Sequence, residues 1–354
     1  MGNGDGRSFY MCECRLTRNF FVRSVGLHFE YNGDDAAFAR QYEFLAKEYS
    51  VPQPLPPVEE VLKDIRAQLA ERKGAPAEAL ERARAVASSY TRLHPELFSL
   101  DRPRFLSAEF LALVEALRSC PSRPSERDAR IKALEERGLL TRLRPMLWKF
   151  SVVTPEFCDL FEAEVAHFEG SDLPKARPNT MNRYGVILRE LGLCEGLLDP
   201  LVKDFVDPVA DKLLPMCADG LDTYRAFTVK YEATDEGDRE LAQHYDNSEV
   251  TLNINVGGQW TGGQVTFFGL VGSEPEEPLS VVLERGHGVL HSGRELHQAE
   301  PVQSGRRQNL ILWCRSSEVR NYECPMCWQP PRCLPTNQYT DEGFTVPPCG
   351  LSRR

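Results

Sequence analysis

A series of short β-type runs in the last third of the chain limits the possible folds more than any other feature. From Tyr224 onward, stretches rich in branched and aromatic residues alternate with turns of Gly, Pro and acidic residues. The strand candidates are residues 226–231, 250–256, 264–268, 279–283, 288–291 and 309–315. Short runs at roughly even spacing are typical of a β-sandwich or jelly roll, and they are not typical of alternating βα units.

Upstream of these strands the pattern is helical. The first apolar stripe recurs at the spacing of one helix face and consists of Val58, Val61, Leu62, Ile65 and Leu69. This spacing predicts an amphipathic helix packed against a core, and a further helix is expected after Pro76. Thr154-Pro155-Glu156 combines an N-cap, a proline and an acidic residue, which predicts another helix that runs to about residue 168.

These patterns predict an α+β fold in four parts. Residues 1–50 form a small N-terminal segment, and residues 51–150 form a helical accessory region. Residues 151–318 hold the β core with its flanking helices, and the motifs described below fall within residues 222–316. Residues 319–354 form a Cys-containing C-terminal tail.

Composition argues against several classes of protein. The net charge of −10 argues against a general nucleic-acid binder, which normally carries a basic stripe. No apolar run approaches the roughly 20 residues of a membrane span, and the first thirty residues lack the basic and apolar regions of a secretory signal. Eleven cysteines in such a chain indicate reduced thiols rather than a disulfide framework. We therefore expect a cytoplasmic or nuclear protein.

Four of the seven histidines lie in the strand-rich region, at positions 244, 287, 291 and 297. His244 and Asp246 are two residues apart, so their side chains share one face of an extended segment. A His-x-Asp pair alone is a weak signal, because a surface pair at a strand end has the same spacing. A metal site needs a third ligand.

The position of Arg307 indicates which of the remaining histidines is the third ligand. Arg307 follows His297 by ten residues, across a turn that contains Pro and Gly, and it lies early on the next strand candidate. Such a turn brings the basic residue back towards the ligand. The positions ten residues after the two rival histidines are not basic. His244, Asp246 and His297 are therefore the predicted set, and two imidazoles with one carboxylate are the facial triad of ferrous oxygenases, which leaves iron positions open.

Several linked segments occur in a fixed order in this region. They are Phe227-Thr-Val-Lys-Tyr231, His244-Tyr-Asp246-Asn-Ser-Glu-Val-Thr251-Leu-Asn253, Gly262-Gly263 and residues 297–313. In this order and spacing they resemble the Fe(II)/2-oxoglutarate dioxygenases, and within them the prolyl and procollagen-lysyl hydroxylase branch. The linked spacings are far more specific than the His-x-Asp pair alone.

The resemblance implies a double-stranded β-helix (jelly roll) with iron at its mouth. It implies that His244, Asp246 and His297 bind Fe(II). It also implies that Arg307 pairs with the distal carboxylate of the co-substrate 2-oxoglutarate, a role that suits a planar guanidinium. Tyr231 lies where this branch often has a tyrosine that reaches the same carboxylate.

Two polar residues after the His-x-Asp pair are candidates for the 2-oxoglutarate site. Thr251 and Asn253 alternate with apolar residues, which places them either on the inward polar face or in cross-strand pairs at the surface. Gly262-Gly263 is expected to form a turn that lets the next strand pass closely.

The implied reaction is hydroxylation of an aliphatic carbon with O2 and 2-oxoglutarate, which yields succinate and CO2. In this branch L-ascorbate keeps the iron ferrous. The expected substrate is a lysine or proline side chain of a protein or peptide. The acidic loop at residues 232–240 favours a lysine-bearing peptide by charge, although a solvated loop explains the same residues. A small-molecule hydroxylase and a catalytically silent scaffold protein that binds through its helical region stay open as alternatives.

Cysteines near the two ends of the chain raise a separate question. Four thiols of the tail are candidate ligands for a structural zinc: Cys324, Cys327, Cys333 and Cys349. The first pair has zinc-type spacing, but the irregular later spacings favour unliganded cysteines. Cys12 and Cys14 form a Cys-x-Cys pair that suits metal binding with other thiols, and here too unliganded cysteines are the expectation.

Overall fold

The computed structural model describes residues 8–49, 51, 54–120, 123–218, 220–274, 276–336, 341 and 343–345. Its N-terminal part consists of Phe9–Cys12 (β1), Phe20–Val22 (β2), Leu27–Phe29 (β3), Asp35–Glu48 (α1) and Val58–Ser89 (α2). The predicted apolar stripe is confirmed as the face that α2 buries against β2, β3 and α1. This small core anchors the N-terminal part of the chain.

Helix α2 is longer than the sequence predicts, because it does not end near Pro76. A proline inside a helix removes one backbone hydrogen bond, so a break was the expectation. Tertiary contacts hold the second half in place instead. Arg82, six residues after the proline, forms a two-pronged ion pair with the buried Glu190, with both nitrogen–oxygen distances at 2.9 Å.

The middle of the chain supplies a layer of helices. They are Arg102–Phe105 (α3), Ala108–Arg118 (α4), Pro124–Glu136 (α5), Pro155–Glu169 (α6), Leu188–Leu191 (α7), Asp199–Leu201 (α8) and Asp207–Leu213 (α9). Ser107 and Thr154 cap α4 and α6, since each side-chain oxygen accepts a hydrogen bond from the first helical turn. None of the helices in the described ranges combines the length and the hydrophobicity that a bilayer crossing requires.

Two antiparallel sheets form the predicted jelly-roll core. Their strands are Thr141–Arg144 (β4), Leu147–Ser151 (β5), Thr223–Glu232 (β6), Leu241–His244 (β7), Val250–Gly257 (β8), Trp260–Gly262 (β9), Val265–Leu270 (β10), Leu279–Val281 (β11), His287–Ser292 (β12), Glu295–Ala299 (β13) and Val302–Arg315 (β14). The larger sheet has the order β4-β5-β12-β8-β14-β6, with β9 paired to β14, and the smaller sheet has the order β11-β10-β13-β7. The short helix Ser317–Arg320 (α10) follows.

Alternation along the central strands separates a helix-facing side from an inner side. Leu310 and Leu312 of β14, with Leu252 and Ile254 of β8, pack into the main core under the helices. Ile311 points the other way and packs with residues of both sheets. Because successive strand residues face opposite sides, the polar residues that alternate with Leu252 and Ile254 along β8 line the interior of the jelly roll.

The structure corrects the predicted boundaries at two places. Strands β4 and β5 lie in the stretch assigned to the helical accessory region, yet β5 pairs with β12 in the larger sheet. The five-residue alternation of β5 is too short to stand out beside a helical pattern. The N-terminal segment and the tail are also joined, because β1 pairs with Cys333–Thr336 (β15) and Phe344–Thr345 (β16) in one small sheet.

Candidate active site

The two imidazoles of the predicted triad lie directly opposite each other in the smaller sheet. His244 of β7 pairs with His297 of β13, and their ring centres are 4.3 Å apart. Each Nδ1 lies 2.8 Å from a backbone carbonyl oxygen two residues earlier, that of Ala242 or Glu295. These carbonyls accept the Nδ1 hydrogen, so both Nε2 atoms keep a lone pair for a metal.

Asp246 completes the group just beyond the end of β7. Its backbone N–H donates to the carbonyl oxygen of Gly293 at 2.8 Å, and a Cβ at Gly293 would overlap the carbonyl oxygen of Ser248. One carboxylate oxygen lies 3.8 Å from Nε2 of His244 and 3.9 Å from Nε2 of His297. The structure therefore brings together one ligand atom from each of the three residues, all within 4.8 Å of one another.

The charge states of these three side chains suit the binding of a cation. Burial lowers the pKa of His244 and of His297 to about 4, so both imidazoles are neutral near pH 7, the form that binds metal. Burial also raises the pKa of Asp246, because a bare carboxylate is destabilised away from water. A metal ion would stabilise that carboxylate. The other carboxylate oxygen of Asp246 accepts a hydrogen bond from the Thr251 hydroxyl at 2.7 Å.

Arg307 and Tyr231 line the same cavity as the three ligands. They lie opposite each other in the β14–β6 ladder. One guanidinium nitrogen of Arg307 donates to the carbonyl oxygen of Gly263, while the buried Nε has no partner among the described residues. Burial lowers the pKa of Arg307 because it disfavours the charged guanidinium. The carboxylate of a bound ligand would accept a hydrogen bond from Nε and would stabilise this buried positive charge.

The remaining predicted residues also lie at this cavity. Thr251 and Asn253 both line it, but each is engaged by a neighbour: the Thr251 hydroxyl donates to Asp246, and Asn309 donates to the Asn253 side-chain oxygen at 2.6 Å. Thr251 therefore acts as a positioning residue for the metal ligand. Gly262 and Gly263 have left-handed φ angles of 71° and 62°, as the predicted turn requires.

Asn182 and Trp313 also line this cavity, and neither had a predicted role. Asn182 is fully buried and donates to the Tyr231 hydroxyl at 3.1 Å. Trp313 lines the cavity beside Asp246, and its side chain acts to lower the pKa of that carboxyl against the effect of burial. Asn182 lies 49 residues before Tyr231 in sequence, on a polar loop without periodicity, so no spacing indicated its position. Of the rival histidines, His291 is buried close to His297, yet it is not in the ligand group of the described residues.

A larger cavity of about 200 Å³ opens beside His244 and Tyr245. Eight arginines line it: Arg15, Arg18, Arg72, Arg82, Arg177, Arg225, Arg315 and Arg320. Its acidic residues are Glu71, Glu78, Glu190 and Asp341. The wall is therefore rich in positive charge, although the chain as a whole is acidic. Among the described residues, no member of the acidic loop at 232–240 lines either cavity; its Asp238 is buried and pairs with Arg183 at 2.9 Å.

The predicted zinc set of the tail is not assembled as expected. Cys324 and Cys327 lie beside Cys12 and Cys14. Cys333 is on β15 with its thiol directed to the carbonyl oxygen of Pro331 at 3.8 Å, and it is not in the cysteine group. Cys349 lies outside the described residues. Counting spacings within the tail missed the partners because they come from the other end of the chain.

A jelly roll that joins two histidines, an aspartate and a buried arginine at its mouth defines an Fe(II)/2-oxoglutarate oxygenase, as the resemblance predicted. The chain belongs to the family of the 2-oxoglutarate and iron-dependent oxygenase domain-containing protein 2. The Homo sapiens member is 38% identical over 344 residues, which cover 96% of this chain and 94% of the human protein. The family model described as an OGFOD2-like domain matches residues 86–219, which hold the helical layer from α3 to α9.

Other known proteins are similar to parts of the chain. The Arabidopsis thaliana 2-oxoglutarate and iron-dependent oxygenase domain-containing protein ICU11 is 37% identical over 253 residues, which cover 67% of this chain and 59% of that protein. A solved prolyl 4-hydroxylase structure from Phytophthora capsici covers 58% of this chain and 66% of its own, at 16% identity and a TM-score of 0.40.

Proposed function

We propose that this protein is a ferrous-iron- and 2-oxoglutarate-dependent hydroxylase that acts on an aliphatic carbon of a protein side chain. One observation carries the proposal. His244, Asp246 and His297 present three ligand atoms in a buried cavity. Its wall also holds Arg307, whose Nε has no hydrogen-bond partner among the residues that the structure describes. Three protein ligands leave positions open for a chelating co-substrate and for dioxygen.

In this proposal each residue has a defined task. His244, Asp246 and His297 would hold the iron, and Arg307 with Tyr231 would hold the distal carboxylate of 2-oxoglutarate. The bound iron and 2-oxoglutarate supply the activation of O2, with succinate and CO2 as co-products. The chain itself keeps both imidazoles neutral, orients the carboxylate ligand through Thr251 and excludes water from the site. L-ascorbate is the proposed reductant that keeps the metal ferrous.

The charge of the larger cavity favours proline over lysine as the target side chain. Eight arginines against four acidic residues line this cavity, and like charge repels a lysine ammonium while it attracts an acidic peptide. The loop at residues 232–240, which suggested a lysine-bearing peptide, is not part of this wall. A proline within an acidic segment is therefore the proposed target. The same arginines also suit an anionic small molecule, which is the second candidate substrate.

Succinate formation tests the proposal. The chain is loaded anaerobically with iron, then given O2, 2-oxoglutarate and matched peptides that carry one proline or one lysine between acidic or basic flanks. We expect fastest turnover with proline in acidic flanks and no iron retention in His244→Ala. The control is His287→Ala, which changes a histidine of β12 outside the ligand group.

The outcomes separate the parts of the proposal. Failure of the wild-type chain to bind iron or to consume 2-oxoglutarate would reject the enzyme. Faster turnover with lysine peptides would reject only the substrate assignment. If anionic small molecules increase the turnover of 2-oxoglutarate and peptides do not, the second candidate substrate is supported.

The thiols support a reducing compartment, and we propose the cytoplasm or the nucleus. The ten cysteines of the described ranges form no disulfide, and reduced thiols are typical of those compartments. Fluorescence microscopy of the tagged full chain tests this proposal, and a signal confined to a secretory compartment would contradict it.

A further inference from the structure

We propose that Cys12, Cys14, Cys324 and Cys327 bind a structural zinc ion that ties the two ends of the chain together beside the active site. The four sulfur atoms all lie within 4.8 Å of one another. Cys14 and Cys324 are 3.7 Å apart at Sγ, and Cys12 and Cys327 are 3.9 Å apart. Tetrahedral zinc with bonds of about 2.3 Å holds its sulfurs about 3.8 Å apart, whereas a disulfide requires about 2.0 Å.

The local backbone presents the thiols in two pairs. Cys324 and Cys327 flank a tight turn in which the N–H groups of Cys327 and Trp328 donate to the carbonyl oxygen of Cys324, at 3.3 Å and 2.9 Å. Trp328 adopts a left-handed φ of 62°, which closes this turn. The other pair comes from the end of β1 and the 3₁₀ turn that follows it. Two short turns thus face each other with their thiols between them.

The cysteine cluster has little apolar packing of its own. The cysteines form a separate hydrophobic cluster. Among the described residues, Met326 is the one larger apolar side chain that packs against it. Strands β1, β15 and β16 are two to four residues long. A small unit without a sizeable apolar core commonly depends on a metal or a covalent link, and the free energy of zinc binding then contributes directly to folding.

The cysteine cluster also borders the active site. Tyr245 lies between two of the proposed iron ligands, and its ring centre is 6.4 Å from that of Trp328, the residue after Cys327. Cys12, Cys14 and Cys324 line the larger cavity together with His244 and Tyr245. The zinc therefore has a positioning role: it fixes the wall of the cavity behind Tyr245 and takes no part in the hydroxylation chemistry.

Metal analysis of the full chain, purified under reducing conditions, tests the site independently of any enzymatic activity. We expect one zinc per chain in the wild type and in His244→Ala, and none in the double variant Cys324→Ser with Cys327→Ser. The matched control is Cys333→Ser, which changes a thiol of the same tail outside the cluster and should keep its zinc. In the double variant the KM for a peptide substrate should rise several-fold, while the KM for 2-oxoglutarate stays unchanged.

A second measurement needs no variant and so does not depend on how a variant folds. Wild-type chain refolded with cobalt should show the visible absorption of tetrahedral thiolate coordination together with sulfur-to-cobalt charge transfer. Absence of that charge transfer, zinc-free folded wild type, full zinc in the double variant, or iron in place of zinc at the cysteines would each overturn the proposal.

Discussion

Arg307 lies directly opposite Tyr231 across the β6–β14 ladder, and its guanidinium carbon is 4.6 Å from the centre of the tyrosine ring. A cation over an aromatic face gains electrostatic stabilisation that grows when both are removed from water. Asn182 holds the tyrosine hydroxyl from the other side at 3.1 Å. The guanidinium is thus fixed before any ligand arrives, with its Nε still available.

Replacement of Arg307 by alanine should weaken 2-oxoglutarate binding. Loss of a charge-assisted hydrogen bond costs roughly 1.5–3 kcal/mol, which corresponds to a roughly ten- to hundred-fold rise in the KM for 2-oxoglutarate. Steady-state kinetics measure the change. Arg306→Ala is the matched control, because the neighbouring arginine points outward and pairs with Glu162 at 2.7 Å. Equal KM values for the two variants would contradict the assignment.

Thr251→Val should reduce iron affinity without unfolding the chain. The hydroxyl donates to Asp246 at 2.7 Å, and loss of such a supporting bond typically lowers metal affinity about 10- to 100-fold. Iron titration followed by calorimetry or by the charge-transfer band with 2-oxoglutarate gives the affinity. Thr261→Val, at an exposed threonine that contacts Ser304, should leave iron affinity as it is. An unchanged affinity in Thr251→Val would show that the bond is dispensable.

The buried carboxyl group of Glu295 should make the free energy of unfolding depend on pH, and a mutation should remove this dependence. Burial and the nearby Glu276 raise the pKa of Glu295 to about 7, from about 4.5 in the unfolded chain. The folded state therefore holds a proton that the unfolded state releases, so its contribution is complete below pH ~4.5 and is lost as the pH rises through about 7. Glu295→Gln should keep the hydrogen bond from the Gly269 N–H and should stabilise the protein above pH 7. Denaturant unfolding at several pH values measures this, and identical pH profiles for both proteins would refute it.

Arg72 should stabilise the N-terminal part of the chain. Its guanidinium donates to the backbone carbonyl oxygens of Arg15, Arg18 and Asn19 at 2.6–2.8 Å. Arg72→Met removes these three hydrogen bonds to partly buried carbonyl oxygens, and we expect a loss of roughly 1–3 kcal/mol in the free energy of unfolding. Thermal unfolding with and without iron reports the change. Arg84→Met, on an exposed position of the same helix, should change stability far less.

The sequence was sufficient to group the triad with Arg307, because their positions are linked by order and spacing within one hundred residues. It did not identify the strands that carry two of these ligands. β7 and β13, which hold His244 and His297, are four and five residues long and lack a clean alternation. Their pairing is a tertiary relationship that local patterns do not encode. The position of Asn182 and the approach of Cys12 and Cys14 to Cys324 and Cys327 were missed for the same reason, since these residues come together from distant parts of the chain.

The pairing of β1 with β15 has a consequence for the order in which the molecule is made. Cys14 precedes Cys324 by 310 residues, so β1 is synthesised long before its partner strand β15 exists. A product that stops early holds all three candidate iron ligands but leaves Tyr245 without the support of Trp328. The strands that carry the candidate iron ligands are therefore synthesised before the tail residues that complete the wall of the larger cavity.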